Sequence, residues 1–135
     1  MYKITVNIPV YQFKCIVIID EKIEEKINYY IKKNKWDLDL IPSGQEMNGL
    51  AINPGDVRTY YIFYSLHSLT PNYIIHEVSH LVDYVIEDKD LERVGEGRAY
   101  LNGYINEKIF DFLIKEHLLI NKHLNYKQKP EQLPV

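Results

Sequence analysis

His76-Glu77-Val78-Ser79-His80 lies inside an apolar helical pattern, and its residue types can hold a metal ion and move a proton. On an α-helix, residues i and i+4 sit about one turn apart on the same face, so His76 and His80 can turn two imidazole nitrogens toward one ion. Glu77 stands beside that pair. A carboxylate next to two metal-held imidazoles can take a proton from an activated water and deliver it to a leaving amine, which is the chemistry of peptide hydrolysis. The same spacing also serves a pair of core histidines with a solvated Glu, so the motif has to be read together with its helix.

That helix has a marked start. Thr70 is the expected N-cap and Pro71 the first helical residue, where a missing N–H costs nothing. From there Ile74, Val78, Leu81 and Val85, supported by Ile75, Val82 and Ile86, make a broad apolar surface, which predicts a mostly buried helix. Burying two imidazoles and a carboxylate is costly without partners, and a metal ion would satisfy all three.

A catalytic zinc site takes three protein ligands and keeps a position open for water. Gly95-Glu96-Gly97-Arg98-Ala99-Tyr100 opens a second long apolar helix, on which Glu96, Ala99, Tyr100 and Gly103 share a face. Small residues on that face predict close packing against the metal helix, with Glu96 in reach of the ion. Glu92, in the charged connector Asp90-Leu91-Glu92-Arg93, is the rival ligand, and His67 is a loop histidine able to approach the site. His117 and His123 lie too far along the chain.

His-Glu-x-x-His followed by Glu-x-x-Ala-Tyr on the next helix resembles the gluzincin pattern of zinc metallopeptidases. Small single-domain proteins carried by phages and mobile elements show it, and so, more distantly, does the ImmA/IrrE group. The match runs from Thr70 to about Tyr104. The resemblance implies Zn2+ as cofactor, His76, His80 and Glu96 as its ligands, and Glu77 as general base acting on a protein or peptide. It also implies a substrate bound in extended form along a sheet edge, for which Met47–Ile52 is the candidate, because Gly49 and Ala51 would admit another backbone. The larger gluzincins often place an acidic residue four positions after the glutamate ligand to orient the first histidine. Here Tyr100 stands there, so Asp83 becomes the candidate for that task and Tyr100 the candidate donor to an oxyanion.

The remaining elements predict a small α+β, zincin-like domain: an N-terminal helix, a mixed twisted sheet, the metal helix and the glutamate helix. Tyr2, Ile4, Val6 and Ile8 alternate with polar residues and Tyr11–Ile19 is β-branched and aromatic, which predicts two strands. Asp20 is the expected cap of a helix striped by Ile23, Ile27, Tyr30 and Ile31, running to about Asn34 and closed by Lys32, Lys33 and Lys35. Leu38–Ile41 reads as a short strand. Met47–Ile52 and Val57–Leu66 read as a hairpin around Asn53-Pro54-Gly55-Asp56, with Pro and Gly where a type II turn needs them. The glutamate helix is expected from about Glu96 to His117, with Leu101, Ile105, Ile109, Phe112 and Leu113 inward. The domain is placed at residues 1–121 and a polar tail with Pro130 and Pro134 at residues 122–135.

A chain of 135 residues, 46% hydrophobic, makes one domain with a real core. A net charge of −3 gives no footprint for nucleic acid. No apolar run reaches the length of a bilayer span, no leader pattern opens the chain, and a lone Cys15 reads as a buried thiol, so a cytoplasmic setting without membrane attachment is expected. Two other functions fit the same motif. One is a metal-stabilised binding or regulatory module with little turnover, and the other an amidase acting on a cell-wall peptide; an intact Glu77 favours a hydrolase over the first.

Overall fold

The structure, a computed structural model, describes residues 1–91 and 95–120. Glu92, His123 and the tail at 122–135 lie outside the described residues. Strands β1 (Tyr2–Ile8) and β2 (Phe13–Asp20) pair antiparallel around a 3-10 turn at Pro9–Tyr11. Helix α1 (Ile23–Asn34), strands β3 (Gly49–Ile52) and β4 (Thr59–Ser65), and helices α2 (Pro71–Asp88) and α3 (Glu96–Lys115) follow. The sheet order is β1-β2-β4-β3, with β2 and β4 parallel and the other two pairings antiparallel. The protein is therefore α+β with a mixed sheet.

Helices cover both faces of that sheet. In central β2, Cys15, Val17 and Ile19 belong to the core shared with α2 and α3, while Ile16 and Ile18 pack with Ile23, Ile27 and Ile31 of α1. Burial on both faces is why β2 reads as a continuous apolar run rather than as an alternation. It also places Cys15 in the interior, where burial pushes its thiol well above the ordinary range.

Three local expectations are corrected. Asp20 does not cap α1: it closes β2, paired with Ser65 in the sheet, and its carboxylate accepts from the Lys22 N–H at 3.2 Å while Lys22 itself holds the N-cap position. Leu38–Ile41 forms no strand, because the Asn28 side chain takes both backbone groups of Ile41, at 2.7 and 2.9 Å. A side-chain amide thus supplies the hydrogen bonds that a neighbouring strand would otherwise give. Helix α3 ends at Lys115 rather than His117; its Phe112 does turn inward as expected, half-buried against the core and edge-on to Tyr2.

The β3–β4 connection matches the expected turn, with Gly55 at φ 92° and its N–H held by Asn53 Oδ1 at 3.1 Å. Just before β3, the Ser65 backbone N–H donates to the Asn48 carbonyl at 2.9 Å. Antiparallel pairs alternate between bonded and non-bonded positions, so Gly49 and Ala51, opposite Tyr64 and Ile62, turn their N–H groups off the open edge of β3.

Helix α2 begins as the sequence requires, with Thr70 Oγ1 accepting from the Tyr73 N–H at 3.4 Å and Pro71 at the first position. It buries Ile74, Val78, Leu81, Val82, Val85 and Ile86, each contributing about 1.5–3 kcal/mol by leaving water. Ile75 does not join them and is 49% exposed. Two tyrosines of β4 set the helix on the sheet. Tyr64 donates to the Ile74 carbonyl at 2.7 Å, and Tyr60 donates to Asp88 Oδ2 at 2.7 Å. Burial, then the cysteine and Glu77 near it, keeps the Tyr64 hydroxyl protonated well above its usual range. Among the described residues no helix is long and apolar enough to cross a membrane.

Candidate metal and catalytic site

The six core residues of α2 occupy one stripe, and the chemistry-bearing residues divide around it. Glu77 borders the stripe, three residues after Ile74 and four before Leu81, and it is buried at 8% exposure. His76 and His80 fall outside it and are exposed. The expectation that all three groups are buried is thus corrected: only the carboxylate leaves water, so desolvation gives no reason for the imidazoles to need a metal.

Their geometry supplies a different reason. The Nε2 atoms of His76 and His80 converge to 3.1 Å, with ring centroids 4.7 Å apart and planes at 84°. Two nitrogens bound tetrahedrally to zinc at about 2.0–2.1 Å lie roughly 3.3 Å from one another. The pair is therefore close to the separation one ion would impose, and both side chains are exposed.

Glu77 divides its two oxygens between two tasks. Oε1 accepts the edge N–H of Ala51 at 3.0 Å, and Oε2 lies 3.9 Å from His76 Nε2. A strand edge that no other strand covers among the described residues thus holds one oxygen and leaves the other beside the histidines. This anchor escaped the sequence reading. Gly49 and Ala51 stand out there as sites for close approach by another backbone, whereas the group that approaches them is the Glu77 side chain. A cleft of about 470 Å³ opens at this point, lined by Asn48, Gly49, Asn72, Tyr73, His76 and Glu77 among others.

The other expected residues lie elsewhere. Asp83 is engaged by Arg98, whose Nη2 donates to Oδ1 at 2.7 Å, so its carboxylate serves the α2–α3 contact rather than His76. His67 is exposed and opens onto a neighbouring cleft with Ser65, Ser68 and Asn48. Glu96 stands exposed in the first turn of α3. Ala99, Tyr100 and Gly103 are exposed as well, and a Cβ added at Gly103 would meet nothing within 4 Å. Close packing of α3 through its small residues is therefore corrected: Leu101, Ile105, Ile109 and Leu113 form the buried side, since larger side chains remove more apolar surface from water. Tyr100 stacks on Tyr104 at 5.6 Å and lies near Tyr11 at 6.3 Å. Among the described residues, no three His, Cys, Asp or Glu side chains gather closely enough to hold a metal ion.

Compared with models of known families, with curated proteins and with solved structures, the chain matches none. What the site can do rests on its own residues.

Proposed function

We propose that the protein is a zinc-dependent peptidase, with His76 and His80 as metal ligands and Glu77 as the general base. The observation that carries this reading is the convergence of two imidazole Nε2 atoms at 3.1 Å beside a buried carboxylate whose second oxygen is 3.9 Å away. His76 and His80 would hold the zinc ion, which would supply Lewis acidity toward water and the substrate carbonyl. Glu77 then accepts the proton of the attacking water at Oε2 and passes it to the leaving amine, while the Ala51 N–H keeps the carboxylate in place. Enclosure by the sheet limits the motion of that carboxylate, so little reorganisation accompanies proton transfer.

The substrate in this reading is an extended segment of a protein or peptide beside β3. Its support is that β3 is an edge strand among the described residues, with Glu77 taking only its Ala51 N–H, and that Leu50 and Ile52 line an apolar pocket of about 330 Å³ with Ile27, Ile31, Ile41 and Tyr84. Such a pocket suits one apolar side chain of a chain lying along the edge. The zincin-like reading of the fold goes with this proposal. It assigns the third ligand to Glu96, exposed at the start of the helix that follows α2.

Zinc titrations of two variants test the ligand set. Glu96→Ala is expected to weaken zinc binding strongly, and Glu92→Ala to leave it nearly unchanged, since loss of one ligand opens a tetrahedral site. The reverse order would move the third ligand to the connector and remove the Glu-x-x-Ala-Tyr assignment while leaving the His76–His80 pair in place.

A further inference from the structure

Two residues of β3 determine where Glu77 rests. Ala51 holds Oε1 through its edge N–H at 3.0 Å. Gly49, on the same side of the strand, makes room for the stem of the side chain. A Cβ at Gly49 would stand 3.0 Å from Glu77 Cγ, 3.2 Å from the Phe63 carbonyl oxygen and 3.4 Å from Tyr64 Cδ1. Carbon atoms in contact settle about 3.5–4.0 Å apart, so the tightest of these collisions is with Glu77 itself.

Backbone conformation does not account for this glycine. The glycines with positive φ are Gly44, Gly55 and Gly95, whereas Gly49 is an ordinary strand residue. A glycine weakens a strand and is found where another group approaches closely. Here that group is the Glu77 methylene.

We infer that Gly49 is a positioning residue for the base: its missing side chain seats Glu77 Cγ, so that Oε1 reaches the Ala51 N–H while Oε2 faces the histidines. The inference rests on the reading of Glu77 as the general base. Adding a methyl at position 49 pushes the Glu77 stem outward and loosens the bond to Ala51. The three atoms nearest a Cβ there belong to Glu77, Phe63 and Tyr64 and not to either imidazole, so zinc affinity is expected to hold.

Hydrogen exchange at the Ala51 amide reads this contact without any assay of activity, because an open-edge N–H is protected only through its acceptor. Glu77→Ala and Gly49→Ala are each expected to speed Ala51 exchange at least about tenfold, and Gly49→Ala to add nothing in the Glu77→Ala background. With a peptide substrate, Gly49→Ala is expected to lower kcat by about 10- to 100-fold, with KM and zinc affinity within about twofold of wild type. Unchanged Ala51 exchange in Gly49→Ala, or an equal added effect in the Glu77→Ala background, overturns the inference. Should Gly49→Ala fail to fold, the double variant, which lacks the colliding Cγ, is expected to regain the fold; a double variant that stays unfolded also overturns it. If wild-type protein hydrolyses no peptide, the general-base reading falls, and the exchange cycle still decides whether Gly49 seats Glu77.

Discussion

Glu77→Gln is expected to lower peptide hydrolysis by at least about a hundredfold, the usual scale on which loss of a general base is felt. The substitution keeps the length of the side chain and an oxygen able to accept from Ala51 N–H, so the contact at 3.0 Å has a replacement in shape. What disappears is the basic oxygen at 3.9 Å from His76 Nε2. Zinc content and thermal stability are therefore expected to stay close to wild type, which separates a chemical defect from a folding one. Turnover equal to wild type would remove Glu77 from the mechanism. A wild type that binds zinc and hydrolyses no peptide or unfolded protein would favour the metal-stabilised binding module.

His80→Ala is expected to abolish zinc binding at stoichiometric concentrations, because it removes one of the two nitrogens that meet at 3.1 Å. Both histidines are exposed and the core of α2 is complete without them, so the variant is expected to fold. Its melting temperature should equal that of zinc-free wild type. Zinc at a hundred times its dissociation constant stabilises the folded state by about 2.7 kcal/mol. For a chain of this size that corresponds to a rise of roughly 10 °C in wild type, and to none in His80→Ala. An equal rise in both proteins, followed by calorimetry across a zinc titration, would place the metal elsewhere.

Much of the arrangement around these residues could be read from local patterns. Thr70 and Pro71 mark the start of α2, Gly55 marks the β3–β4 turn, and the stripe of Ile23, Ile27 and Ile31 marks α1. The division between Glu77 and the histidines was also present in the sequence. At 3.6 residues per turn, position 77 borders the core face beside positions 74 and 81, whereas 76 and 80 each sit two residues past a core position, on the far side. The apolar content of the helix alone suggests that all three are buried; the face each occupies separates them.

Other features depend on contacts between distant segments, which periodicity does not encode. Helix α3 offers two candidate faces, one of small residues with Glu96 and one with Leu101, Ile105 and Ile109; burial of the larger side chains decides between them. Arg98 is what draws Asp83 away from the histidines, and no local pattern pairs those two residues. The seat for Glu77 joins strand β3 to helix α2 across 26 positions of sequence. Gly49 was visible as a place of close approach, but only the folded chain identifies what approaches it.

If His76 and His80 hold one zinc ion between their Nε2 atoms, the ion itself can be located. Crystals grown with one equivalent of zinc and measured on both sides of the zinc absorption edge test this most directly. A single anomalous peak is expected about 2.0–2.1 Å from each Nε2 atom, with Glu77 beside it as a non-ligand. No peak at these nitrogens with zinc in excess, or a peak bound only to other residues, would contradict it.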